Sequence, residues 1–104
     1  MNEKKDLIAF SQLAAAKADI FATGFNTLVD TIILHNSNST SEDVVINMIV
    51  GVTEYQIIAK TLTAGQTFPV DLGESGIYIP SAGTLTGNTD TADKVSIYVG
   101  GARI

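Results

Sequence analysis

The chain has 104 residues, no cysteine and a net charge of −5; 45% of its residues are hydrophobic and only 16% charged. That is room for one domain that folds without staples, and it excludes disulfides, thiolate metal sites and cysteine nucleophiles. A charged fraction well under the roughly 25% of a typical soluble protein implies a Ser/Thr/Asn surface, surface hidden in an assembly, or both.

The charge is unevenly placed. From Asp30 to Asp93 there are eight acids and one lysine, Lys60, so a broad phosphate-binding face, and with it a nucleic-acid partner, is not expected. No apolar run approaches the ~18–20 residues needed to cross a bilayer, so no membrane insertion is expected. Ser11, Gln12 and Lys17 interrupt the N-terminal apolar residues, which argues against a signal peptide.

In chain order, Met1–Asp6 is polar and expected to fray. Leu7–Lys17 reads as a helix, a strand or a docking arm. Ala14–Ala16 with Gln12, Leu13 and Lys17 favour a helix within Ser11–Asp19, capped by Ser11 and ended by Gly24. Asp19–Thr23 is expected to be extended. The pivotal stretch is LVDTIILHNSNSTSEDVVINMIV, Leu28–Val50. Its two β-branched runs flank a loop of Asn, Ser, Thr and acids, the pattern of strand, loop, strand. Both runs carry apolar residues on both parities: Leu28, Ile32 and Leu34 against Val29 and Ile33, then Val44, Ile46 and Met48 against Val45 and Ile49. Such strands are central or covered by a neighbouring subunit.

Further strands are expected at Glu54–Thr61, at Phe68–Leu72 (an edge, because Pro69 lacks a donor), at Ile77–Ile79, at Thr84–Thr86 and from Val95 to the C-terminus. In the last strand Val95, Ile97 and Val99 face inward and Ser96 and Tyr98 outward. The sum is an all-β fold: a single β-sandwich or jelly-roll-like domain of seven or eight short strands over residues 18–104, preceded by an arm or short helix over residues 1–17.

The residues that carry chemistry elsewhere form no catalytic set here. His35 is the only histidine, which rules out a multi-histidine zinc site. Ser37, Ser39 and Ser41 specify no nucleophile–base–acid arrangement. Asn88, Asp90 and Asp93 offer hard oxygen ligands in one loop, without the order of an EF-hand; they read as solvated acids, with a calcium site as the competing reading. Asp71 and Glu74 frame a Gly turn, and nothing places them at glycosidase spacing. No catalytic residue, metal site or cofactor is expected. Asn38-Ser39-Thr40 matches a glycosylation sequon, of little weight without a secretory signal. Tyr55, Tyr78 and Tyr98 are the residues a glycan-binding platform would use, and Tyr98 serves equally as a subunit contact.

The phrases FATGFNTLVDTIILHNSNST, EDVVINMIV and TLTAGQTFPVDLGESGIYIPSAGTLTGNTDTADKVSIYVGGARI resemble the small β-sandwich virion accessory proteins of tailed bacteriophages. The resemblance covers Ala18–Ile104 and consists of turns and strands rather than a hard motif. It implies a non-enzymatic structural role on a capsid, neck or tail, often as a symmetric oligomer, in a virion assembled in the host cytoplasm. A capsid, neck or tail protein and further copies of the chain are then the partners. Burial of the second strand faces supplies the contact, with Leu7, Ile8 and Phe10 as a docking segment and Val29, Ile33 and Val45 as candidates between protomers. The alternative is a carbohydrate-binding or host-adhesion module with a surface glycan as ligand.

Overall fold

The computed structural model describes the backbone of residues 6–22 and 24–104 and, within those ranges, the side chains from residue 8 onward. Residues 1–5, where fraying was expected, lie outside it. The described chain is all-β, with nine strands: β1 (Asp6–Gln12), β2 (Ala18–Ala22), β3 (Thr27–Asn36), β4 (Glu42–Val50), β5 (Thr53–Leu62), β6 (Thr67–Val70), β7 (Ile77–Ile79), β8 (Thr84–Thr89) and β9 (Val95–Arg103). One sheet has the order β1-β9-β3-β6, with β7 also on β3; the other has the order β2-β8-β4-β5. Every pairing is antiparallel.

The pairing is nested. β1 pairs with β9, β2 with β8, β3 with β6 and β7, and β4 with β5. A long hairpin whose arms pair outermost to innermost, rolled so that successive pairs fall in alternate sheets, is a jelly roll. The β-sandwich or jelly-roll expectation therefore holds, with nine strands instead of seven or eight.

Between the sheets lie Leu13, Val29, Ile32, Leu34, Val44, Ile46, Leu62, Ile79, Leu85, Val95, Ile97 and Val99, all buried. Each is β-branched or leucine, and most alternate with outward residues on their own strand, as period-2 geometry requires. Pro69 sits on β6, which pairs only with β3; as expected it occupies an edge, where its missing donor costs no ladder bond.

Residues 6–17 depart from one expectation. No helix forms among the described residues. β1 runs antiparallel to β9, and the next residue, Leu13, is buried and donates its N–H to the Val95 carbonyl at 2.8 Å. Burial of Leu13 and a ladder of six residue pairs outweigh the helical preference of Ala14–Ala16, which is only a few tenths of a kcal/mol per residue. The stretch expected to be a separate arm or short helix thus contributes a strand to the sandwich.

β3 also corrects the parity reading. The β3–β9 register shifts between Val29 and Thr31. This bulge takes up one residue, so Val29 joins Ile32 and Leu34 facing inward, while Leu28 and Ile33 face outward. Opposite the shift stands Gly101, where an added Cβ would lie 1.9 Å from the Leu28 carbonyl oxygen. Only glycine permits that approach.

Candidate functional site

The outer face of the β1-β9-β3-β6 sheet carries a row that crosses all four strands. Phe10 on β1 pairs with Tyr98 on β9, Tyr98 with Ile33 on β3, and Ile33 with Pro69 on β6. Phe10 is 67% exposed and Tyr98 37%. Their rings meet edge to face at 6.4 Å between centroids, a favoured aromatic geometry. The Tyr98 ring leans over Gly100, with its Cε1 3.2 Å from where a Cβ would stand. The adjacent row, Gln12, Ser96, His35 and Thr67, is polar and holds no Asp, Glu, Lys or Arg. His35 Nδ1 lies 2.7 Å from Thr67 Oγ1. A shallow cleft of about 280 Å³ opens beside Phe10, lined by Ser11, Gln12 and Ser96. Farther along the same face, Tyr78 and Ala102 flank Leu28.

The other sheet presents a different outer face. Asp19 on β2, Thr86 on β8, Asn47 on β4 and Gln56 on β5 form its central row. Lys17 Nζ and Glu54 Oε2 meet at 2.7 Å, joining opposite margins of this sheet. In a four-stranded sheet the outer strands are about 14 Å apart, a span that these two long side chains bridge by reaching across the face. Thr86 is 2% exposed and its Oγ1 has no hydrogen-bond partner.

At one end of the sandwich, polar side chains lash three loops together. Asn36, fully buried, donates through Nδ2 to the carbonyls of Thr40, Leu62 and Thr63 at 3.0–3.2 Å and accepts from Asn38 N–H at 2.9 Å. Glu42, 1% exposed, accepts from Asn38 Nδ2 at 2.9 Å, Thr89 Oγ1 at 3.0 Å and Thr91 N–H at 2.8 Å. Burial pushes the Glu42 carboxyl up, but hydrogen bonds from Thr91, Asn38 and Thr89 together outweigh it and hold the group below its ordinary 4.5. With its oxygens already accepting three bonds, Glu42 is a structural carboxylate.

Two further acids are similarly occupied. Asp90 Oδ2 accepts the Asp43 N–H at 2.8 Å, and Asp71 Oδ1 accepts the Gly73 N–H at 2.9 Å. Asn88 sits on β8, while Asp90 and Asp93 lie in the turn after it. Among the described residues no three His, Asp or Glu side chains are grouped to hold a metal ion.

The structure thus separates the interface candidates. Phe10 and Ile33 share the apolar row. Ile8 is half-buried at the β1 bulge and packs against the core, and the side chain of Leu7 lies outside the described residues. Val45 faces outward from the other sheet, between Asn88 and Ala59. Val29 is corrected: at 1% exposure it is a core residue, turned inward by the bulge, and has no surface to give a partner. Of the tyrosines, Tyr98 and Tyr78 are on one face and Tyr55 is on β5 of the other sheet. Sequence reasoning missed Pro69 as the end of the row, and missed the Glu42 network. Neither has a local signal, because each depends on pairing between strands distant in sequence.

No family model matches the chain, and no curated protein matches it. A solved structure of infectious bursal disease virus, Gx strain, aligns with 97% of this chain at 14% identity and a TM-score of 0.46. The chain spans about a third of the length of that structure's chain, 33%. A likeness of this size identifies neither a family nor a function.

Proposed function

We propose that the chain is a non-enzymatic structural or accessory component of a virion, of the kind that tailed bacteriophages assemble on a capsid, neck or tail. It acts by burying strand faces against further copies of itself and against another virion protein. The observation that carries this reading is the row Phe10, Tyr98, Ile33 and Pro69, which crosses a whole sheet beside a second row without Asp, Glu, Lys or Arg. In a chain of net charge −5 this is the surface on which like-charged copies or an acidic partner meet with least repulsion. Aromatic anchors at the centre of such a patch supply most of the energy of an interface.

The test is Ile33→Asp. The full-length variant is expected to lose oligomeric mass by light scattering and to stop co-sedimenting with particles, while keeping the wild-type far-UV circular dichroism. Unchanged mass and unchanged co-sedimentation would remove the row from any interface.

A second reading, glycan binding in host adhesion, is favoured by the cleft at Phe10, where aromatic rings stand beside Gln12, Ser96 and His35. Sugars stack on aromatic faces and hydrogen-bond to neighbouring amides and hydroxyls. A glycan screen that shows binding lost in Tyr98→Ala would establish it; a blank screen would leave assembly as the use of this face.

A further inference from the structure

We infer that the outer face of the β2-β8-β4-β5 sheet is a calcium site, in which oxygens of Asp19, Thr86, Asn47 and Glu54 hold the ion where the Lys17 ammonium now sits. The inference does not depend on the assembly reading and concerns the sheet opposite the apolar row.

It starts from a buried hydroxyl at an outward position. Leu85 and Ile46 are core residues, so their chain neighbours Thr86 and Asn47 point to the outer face. Both are nonetheless buried, Thr86 at 2% exposure, and the Thr86 Oγ1 has no hydrogen-bond partner. A buried hydroxyl without a partner is destabilising, and valine has the same shape without that cost. A ligand that bonds to the oxygen removes the anomaly.

Hard oxygens flank it. Asp19 on β2 pairs with Thr86, and Thr86 pairs with Asn47 on β4. One row thus sets a carboxylate on one side of the hydroxyl and a carboxamide on the other. Neighbouring strands are about 4.8 Å apart, a gap that Asp and Asn side chains close when they lean in over Thr86. Calcium takes about six to eight oxygens from carboxylates, carboxamide carbonyls and water, in flexible geometry. Magnesium demands near-ideal octahedral geometry at shorter range and keeps its water, so a sheet face suits it less well.

A cation is already drawn to this point. Lys17 precedes the Ala18–Gly87 pair, on one side of the row, and Glu54 pairs with Ile49 on the other side. Their side chains therefore cross the face over Thr86 and Asn47 to meet at 2.7 Å, which accounts for the burial of both. The pair itself is exchangeable, because its side chains keep 49% and 40% exposure and exposed ion pairs are weak. A divalent ion in place of the ammonium takes Glu54 and Asp19 together and gives the Thr86 oxygen its missing partner. With two carboxylates the expected affinity is about 10⁻⁴–10⁻³ M.

The test is calorimetric titration of the full chain with calcium chloride after chelator treatment. Wild type is expected to bind one ion per chain, with magnesium at least tenfold weaker. Thr86→Val, which leaves the charge unchanged, and Asp19→Asn are each expected to weaken binding at least tenfold. Lys17→Met is expected to tighten it at least threefold, because the competing ammonium is gone; a purely structural ion pair predicts no such gain. Asp93→Asn, in the acidic turn after β8, is expected to bind as wild type does. Circular dichroism checks the fold of each variant, and Asp19 is exposed, so Asp19→Asn carries the test without touching a buried position. Absence of binding at millimolar calcium, undiminished binding in Thr86→Val and Asp19→Asn, or no gain in Lys17→Met overturns the inference. Loss of binding in Asp93→Asn also overturns it, by placing the ion in that turn.

Discussion

The two sheets are alike on the inside and unlike on the outside. Both inner faces are lined by buried Val, Ile and Leu. The outer face of the β2-β8-β4-β5 sheet covers itself: Lys17 and Glu54 pair from opposite margins, and Thr86 and Asn47 are buried on it. The outer face of the β1-β9-β3-β6 sheet leaves Phe10, Tyr98 and Tyr78 exposed. A sheet needs one apolar face to fold, and a second one is a feature of recognition rather than of stability. On the assembly proposal, the contrast places the contact on one side of the sandwich.

The strongest way to break this contrast is to break the sheet that carries the row. Gly101→Val would drive a Cβ into the Leu28 carbonyl, and is expected to cost about 3–5 kcal/mol, the upper range for single substitutions, measured by urea unfolding. Next is the polar knot. Glu42→Ala strands the Thr91 N–H and the Asn38 amide, while the Thr89 hydroxyl keeps the Asp43 carbonyl as acceptor, at about 2–3 kcal/mol. The same carboxyl sets an acid limit. Its folded value is lowered from 4.5, so its contribution is present above pH 4.5 and is lost as the pH falls through the lower folded value. Glu42→Gln is therefore expected to flatten the loss of melting temperature on acidification below pH 4.5. An unchanged acid slope would assign that loss to other carboxylates.

Smaller effects sharpen the comparison between faces. Thr86→Val replaces a buried hydroxyl that has no partner with a methyl group, and is expected to raise stability by about 1 kcal/mol. A decrease would mean that the hydroxyl is satisfied in solution. On the other face Phe10→Ser is expected to change stability by less than about 0.5 kcal/mol, as an exposed position should, while reducing self-association. A clear fall in monomer stability would make Phe10 a packing residue.

Much of the fold was legible because period-2 alternation and turn residues are local signals. Val95, Ile97 and Val99 announce an inward face, and Pro69 announces an edge. What failed was non-local. The bulge at Asp30–Thr31 exists because Gly101, seventy residues away, lets the chains approach; without knowing that pairing, Val29 and Ile33 read as one face when the strand turns them apart. Leu7–Lys17 left helix, strand and arm open because the pairing of Asp6–Gln12 with the end of the chain has no trace in its own residues, and Ala14–Ala16 is the bend between β1 and β2. The candidate surface was half legible. Phe10, Ile33 and Tyr98 were singled out separately, and only the β1-β9-β3 register assembles them into one row.

The central claim is that the apolar row is an assembly surface and the ion-paired face is not. Size-exclusion chromatography with multi-angle light scattering on four proteins tests it most directly: wild type, Ile33→Asp, Phe10→Ser and, from the opposite face, Gln56→Asp. The account predicts an oligomeric wild type, lower mass for the two row variants and wild-type mass for Gln56→Asp. A wild type that is monomeric at high concentration, or row variants that keep full mass while Gln56→Asp loses it, would contradict it.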